Sequence, residues 1–156
     1  DRDGIMAGSI FEYDGRLKQD KGQQFLSGRG HYGDGYTDIR RIQQHGIYSS
    51  PPKGSQGLLL SPNGNPDEAY LIGVEHHDHQ PTGIPAGGTA IYDASGNIIK
   101  IVGGQVDMDF QTNTATFKAG GWTINVPTTT INGNVHVNGN VTCSGTVTDG
   151  DGNNGA

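Results

Sequence analysis

The sequence predicts an all-β chain in two parts, a small barrel or sandwich of short antiparallel strands followed by an intertwined trimeric β-helix. Three observations carry this. Apolar residues recur at every second position through most of the chain, the period of a strand with one buried face. Only 31% of the 156 residues are hydrophobic, while 27 are glycine. The stretch INGNVHVNGNVTCSGTVTDG, Ile131–Gly150, falls into sixes. An average globular chain is roughly 45–50% apolar with glycine counted, so one copy of this chain would bury a thin core. Val/Ile/Thr alternation and low charge argue against disorder, which leaves a core assembled between chains.

Taken in order, GSIFEYD (Gly8–Asp14) alternates and reads as a strand. FLSGRG (Phe25–Gly30) is a weaker strand broken by glycine. TDIRRIQQHG (Thr37–Gly46) is the best helical segment, with Ile39 and Ile42 three apart, but it is short. The better reading is a strand over IRRIQQHGIYSSPP (Ile39–Pro52), stopped by Pro-Pro. Gly57–Ser61 and Ala69–Glu75 flank a turn rich in Pro, Asn and Gly and form the clearest hairpin. Strands at this spacing suit a small antiparallel barrel or sandwich.

Farther on, TAIYDASGNIIKIVGG (Thr89–Gly104) is a hairpin around Ala94–Asn97, with Ile91 before the turn and Ile98, Ile99 and Ile101 after it. Val106, Met108 and Phe110 then alternate, and so do Trp122, Ile124 and Val126, each trio on one strand face. From Pro127 the beat changes to sixes. Ile131, Val137 and Cys143 form one column, Val135, Val141 and Val147 another, and Gly133, Gly139 and Gly145 a third between them. A period of six is even, so it preserves inward and outward sides. Glycine at an inward position implies a close approach. A single-chain β-helix needs several full coils of hexapeptides, and about three hexapeptides make hardly one. Three identical chains wound about an axis need far fewer residues each and leave no edge strands. The axis core is then Ile131, Val135, Val137, Val141, Cys143 and Val147. Asn132, Asn134, Asn138, Thr142, Thr146 and Thr148 form a polar exterior, and His136 is read as outward and solvated.

Composition excludes several classes. The net charge is −6 and no basic run exists to follow phosphates, so nucleic acid is not an expected partner. Cys143 is the single cysteine, so no intrachain disulfide is possible. No apolar run approaches the roughly 20 residues that span a bilayer, and no signal-like segment opens the chain. The first residue is not Met, so residues upstream are expected.

Three pieces in order, Asp38–His76, Pro81–Ile101 and the NGNVHVNGNVTCSGTVT tail, resemble the phage Mu-type baseplate spike proteins, also called baseplate assembly protein V. The most specific parts are GIYSSPPKGSQG, GTAIYDASGN and the hexapeptides. The resemblance implies an oligonucleotide/oligosaccharide-binding (OB)-like barrel over 1–82, a neck of hairpin and strand over 83–126, and a trimeric β-helix tip over 127–156. It implies a homotrimeric central spike, driven through the target's outer membrane when a contractile sheath shortens. A baseplate hub protein would sit at the N-terminal end and a separate tip protein at the C-terminal end. The expected location is the tail baseplate of a virion, or an equivalent injection particle, assembled in the cytoplasm of the producing cell. Many relatives end in a His-x-His apex that holds iron on the axis. This chain ends TDGDGNNGA and lacks that pair.

The ligand-rich segments also have plainer readings. EHHDH (Glu75–His79) is a conceivable metal site, with His77 and His79 on one strand face, but a polar junction loop is the better reading. Asp149 and Asp151 imitate the start of a calcium loop without its later Glu, and read as acidic turn residues. No cofactor is expected; if the tail takes an ion, oxygen ligands favour a hard one such as calcium. Dinucleotide, P-loop and nucleophile-elbow patterns are absent, and no enzymatic activity is expected. A glycan-recognising trimeric tail fibre is the alternative. Trp122 is the only Trp and no aromatic follows it, which disfavours sugar stacking along the needle. A hexapeptide-repeat acyltransferase would need many more coils.

Overall fold

The computed structural model describes residues 6–150. It is all-β, with one-turn 3-10 helices at Pro66–Glu68 and His77–His79 as its helical elements. The strands are β1 (Met6–Asp20), β2 (Gln23–Arg29), β3 (Gly35–Ile42), β4 (Gln56–Pro62) and β5 (Tyr70–Glu75), then β6 (Thr89–Tyr92), β7 (Ile98–Val102) and β8 (Gln105–Asp109). The first five close a barrel in the order β1-β2-β3-β5-β4. The last three form a separate antiparallel sheet in sequence order.

Closure depends on β1 being long enough to serve two neighbours. Its first half, Met6–Glu12, pairs with β4, and the stretch from Glu12 to Asp20 pairs with β2. The strand changes direction at a register shift between Tyr13 and Leu17. Gly15 sits there with φ +100°, a conformation glycine adopts at little cost. Asp14 accepts from the Arg16 backbone N–H at 2.9 Å and pairs with its guanidinium at 2.7 Å, which fixes the bend. Arg16 holds the Asp14 carboxyl below its usual range, chiefly by side-chain hydrogen bonding. The barrel is antiparallel except at one seam, where β3 and β5 run parallel over Arg40–Ile42 and Tyr70–Ile72. The expectation of a wholly antiparallel arrangement is corrected there.

Phe11, Tyr13, Leu26, Leu59, Ala69, Leu71 and Val74 fill the interior, with Leu17, Tyr36 and Ile39 packed against them. The core is thin enough that backbones nearly touch. A Cβ on Gly28 would stand 2.0 Å from the Glu12 carbonyl oxygen and 2.7 Å from Phe11 Cζ. No side chain fits at that position.

The expected strand over Ile39–Pro52 stops at Ile42. The reason is Arg41, which is buried and uses all five of its donors. Its Nε and Nη2 donate to the Gly73 carbonyl at 3.2 and 2.8 Å. Nη1 donates to Gln24 Oε1 at 3.0 Å and to the Ser49 carbonyl at 2.8 Å, and Nη2 also to Ser49 Oγ at 3.0 Å. Gln43 Oε1 accepts the Ser49 N–H at 2.9 Å. Residues beyond Ile42 therefore meet side chains of the barrel end in place of a ladder. Burial pushes the Arg41 pKa down, yet no carboxylate accompanies it; neutral oxygens do all the solvating.

The Gly73 carbonyl that receives this fork belongs to a strained bend. Gly73 and Val74 have φ of +82° and +72°, and a β-branched residue rarely adopts such a value. The bend lets β5 slip against β4 between Gln56 and Leu58 and turns Val74 into the core.

Arg41→Met should leave Gln24 Oε1, buried, and the part-buried Gly73 carbonyl and Ser49 Oγ without donors, and destabilise the barrel by about 2–4 kcal/mol. Arg41→Lys should recover less than half of that, because three donors on a flexible stem cannot reproduce a five-donor fork. Denaturant titration of the three proteins checks both, and full recovery by lysine would show that charge, not geometry, matters.

Candidate functional site

Two units emerge from the contacts within the chain, 1–115 and 116–156. Each carries apolar residues that its own fold leaves uncovered.

In the first unit, the β6–β7 hairpin turns through Asp93–Asn97. Asp93 Oδ1 accepts from the Ser95 and Asn97 backbones at 2.9 and 3.0 Å, and Oδ2 from the Asn97 side chain at 2.9 Å. Asn97 Oδ1 accepts in turn from Asn113 Nδ2 at 2.9 Å. This polar clamp was missed in reading the sequence, although an Asp two residues before a Ser-Gly-Asn turn is its signal. The hairpin, and the strand predicted around Val106 and Met108, stand where the alternation puts them.

Register then sorts the sheet into two faces. Ile91, Ile99 and Met108 are cross-strand partners, and so are Thr89, Ile101 and Val106. Partners share a face, as do residues two apart, so five large apolar side chains line one side. The other side carries Tyr92, Ile98, Lys100, Asp107 and Asp109, with Lys100 Nζ 4.0 Å from Asp107. The apolar side is largely uncovered, with Ile99 half-buried and the other four exposed. Ile91 is 66% exposed, Ile101 50%, Val106 59% and Met108 61%. A three-stranded sheet normally owes its stability to such a face being packed.

In the second unit, the strand expected around Trp122, Ile124 and Val126 is extended chain with no ladder partner. Among the described residues, no hydrogen bond between backbone groups involves any residue past Asn113. Ile131, Val135, Val137, Val141, Cys143 and Val147 are all exposed. Gly133 and Gly139 take φ of +155° and +151°. A Cβ on Gly133, Gly139 or Gly145 would meet nothing within 4 Å. The crowding that inward glycines imply is therefore not supplied from within the chain. His136 Nε2 lies 3.0 Å from Asn138 Oδ1, two polar side chains on the side opposite Val135 and Val137. Phe117 and Trp122 pack with ring centroids 4.8 Å apart and are 66% and 69% exposed.

The His-rich segment differs from the strand considered for it. His77–His79 is a single 3-10 turn capped by His76, whose Nδ1 accepts the Asp78 N–H at 3.2 Å. One turn cannot place His77 and His79 on a common strand face. His76 stacks on His77 at 5.2 Å and meets His79 at 4.8 Å, and Gln80 donates to Glu75. Among the described residues, no group of three His, Cys, Asp or Glu is placed to hold a metal ion. Asp149 is exposed, and Asp151 lies outside the described residues.

Hydrogen bonds from Asn97 hold the Asp93 carboxyl below its usual range. A depressed folded-state pKa contributes stability above the unfolded value, about 3.9, and that stability is lost as pH falls through the folded value. The turn should therefore loosen in acid below roughly pH 4. Asp93→Asn keeps an acceptor and cannot titrate there, so it should flatten the response. Hydrogen exchange at the Ser95 and Asn97 amides, followed against pH in both proteins, tests this.

Comparison with known proteins bears on the barrel first. Residues 15–78 match the family model described as Bacteriophage Mu Gp45, N-terminal. The baseplate puncturing device gp45 of Escherichia phage Mu is 25% identical over 101 residues, which cover 64% of this chain and 51% of that protein. The chain thus spans about half the length of the curated relative it matches.

Proposed function

From this kinship with the Mu-type baseplate spike family, we propose that the chain is the central spike of a contractile tail or injection device, and that it pierces the outer membrane of a target cell. The barrel of 1–82 is of the OB type and faces a hub protein in the baseplate. The neck of 83–126 leads into a needle tip of 127–156, built by three copies about one axis. The barrel order β1-β2-β3-β5-β4 with its parallel β3–β5 seam supports the OB reading.

The observation that carries the needle is the pair of uncovered apolar tracts, the β6–β8 face and the columns of Ile131–Val147, in a chain whose extended backbone finds no partner of its own. Three copies satisfy both needs together. Each contributes one side of every rung, so backbone groups pair between chains and the columns meet on the axis. Burying each Ile or Val is worth about 1.5–3 kcal/mol, multiplied by three at every layer. The glycine columns then give the room that close chains require.

Such a body suits puncture. Axial load is borne by continuous main-chain hydrogen bonds, and the Asn/Thr exterior lets the shaft pass through headgroups without lodging there. The role is mechanical, and no catalytic step is assigned to it. If this stretch takes an ion, the carboxylates of Asp149 and Asp151 suit a hard cation such as calcium, and a separate tip protein is the other partner the reading allows.

One feature suits a glycan-binding tail fibre instead, the exposed Phe117–Trp122 pair. In a spike, neighbouring chains cover it. Trp122 is the only tryptophan, so its emission reports on it alone. Emission at short wavelength in the assembled protein, moving red on dissociation, fits the spike. Red emission in the assembled protein, together with binding on a glycan array, fits the fibre.

Sedimentation at micromolar concentration should find trimers, and melting should coincide with dissociation. Val141→Asp should cost the assembly about 3 kcal/mol or more, since three carboxylates in a dry axis cannot all ionise. Asn140→Asp should be tolerated. A folded monomer, or equal losses from the two substitutions, would defeat the proposal.

A further inference from the structure

Asn-Gly occurs at Asn63–Gly64, Asn132–Gly133 and Asn138–Gly139 among the described residues. In such a pair the carboxamide carbon and the next main-chain nitrogen meet easily, because glycine puts no Cβ in the way. The three sites differ in what surrounds them. The Gly64 N–H donates to the Ser61 carbonyl at 3.1 Å, so its nitrogen is engaged in the turn. Gly133 and Gly139 have no such bond, and a Cβ on either would meet nothing within 4 Å. Asn132 and Asn138 are both exposed.

The hexapeptides separate the last two sites. Two residues before each Asn lies an outward position, and down the repeat that column reads Thr130, His136, Thr142. Residues two apart share a side of an extended chain. His136 Nε2 lies 3.0 Å from Asn138 Oδ1. A carboxamide oxygen only accepts, so this bond selects the imidazole tautomer with its proton on Nε2. Asn132 has Thr130 at the equivalent place.

We infer that His136, Asn138 and Gly139 form a self-modifying site, at which Asn138 cyclises and loses ammonia faster than the other Asn-Gly pairs. The Gly139 nitrogen adds to Asn138 Cγ, and negative charge gathers on Oδ1, where the His136 N–H already points. A donor aimed at a developing oxyanion lowers the barrier. The Cγ–Nδ2 bond then breaks, and ammonia leaves with the proton that the Gly139 nitrogen gives up through solvent. Water opens the resulting succinimide at either carbonyl, giving aspartate or isoaspartate. Water enters, ammonia leaves, and nothing is oxidised or reduced.

The product bears on the repeat. Either outcome puts a carboxylate among outward Asn and Thr side chains. Isoaspartate also adds a main-chain carbon between Val137 and Val141, which breaks the six-residue beat. Cyclisation needs only neighbours in the chain, and His136 and Asn138 lie on the side opposite Val135 and Val137, so the site exists with or without the threefold assembly.

The test is storage of the purified full chain in neutral buffer, with conversion at each Asn followed by peptide mass. No Lys or Arg follows Lys118, so trypsin releases residues 119–156 as one peptide, and fragment ions assign its sites. Asn138 should convert roughly tenfold faster than Asn132, less than the roughly 10²–10³-fold that one such donor is worth in a closed site. His136→Thr, which restores the column residue, should bring Asn138 down to the rate of Asn132. Thr130→His should raise Asn132 to the rate of Asn138, a gain that a merely structural role for His136 would not give. Pairing between chains would slow both sites alike, so their ratio is the readout. Equal rates in the native chain, no gain at Asn132 in Thr130→His, or conversion of Asn63 ahead of both would overturn the assignment.

Discussion

Every extended segment must give its N–H and C=O groups a partner, and that requirement organises this chain from end to end. The first five strands meet it internally. β1 spans two neighbours, and the parallel β3–β5 seam closes the circle, so the barrel has no free edge. The next three strands meet it in part, with β6 and β8 left as edges. Past Asn113 the described chain has no backbone–backbone hydrogen bond, so its backbone groups are left to solvent or to other chains. Self-sufficiency falls steadily along the sequence, and uncovered apolar surface rises with it.

Closing so small a barrel forces irregular backbone, and the irregularities are held by polar groups. The Gly15 bend is fixed by Asp14 and Arg16. The Gly73–Val74 bend, with its strained Val74, is held through the Gly73 carbonyl by Arg41. The same arginine reaches Gln24 on β2 and Ser49 in the connection, so one side chain joins three parts of the barrel end. Among the described residues no buried side-chain N or O atom lacks a partner, as a thin core demands. These are stability devices of the barrel, independent of whatever the second part of the chain assembles into.

The piercing role proposed above would ask for this division. The base must fold reliably and present a fixed surface, whereas the shaft must be stiff along its axis and narrow. A shaft one chain wide cannot bury an apolar column, and a shaft three chains wide would do so with three small side chains, one per chain, in each layer. The hexapeptide beat keeps Ile, Val and Cys on one side and Asn and Thr on the other without interruption. No aromatic residue follows Trp122 in this sequence, so a shaft built from that stretch would be slim.

Local chemistry was enough to read much of this. Alternation located β1, β4, β5 and the β6–β7–β8 sheet, and the Pro/Asn/Gly turns placed both hairpins. The resemblance to Mu-type spike proteins was read from GIYSSPPKGSQG, GTAIYDASGN and the sixes, and the family model matches residues 15–78, which hold the first of these. Other features were settled in three dimensions. Arg41 in IRRI looks like any strand arginine. That it is buried, and that its five donors end β3 at Ile42, depends on Gln24, Ser49 and Gly73 arriving from three distant segments. The His77/His79 pairing failed because a capped 3-10 turn replaced the strand. Ile10, Leu58, Ile72 and Ile42 lie on four strands, and only the register of those strands brings them into one row. Periodicity is a property of neighbours in sequence, so the sequence by itself determined strands, turns and faces. Which faces are covered depends on contacts between segments far apart, and those only the tertiary structure decided.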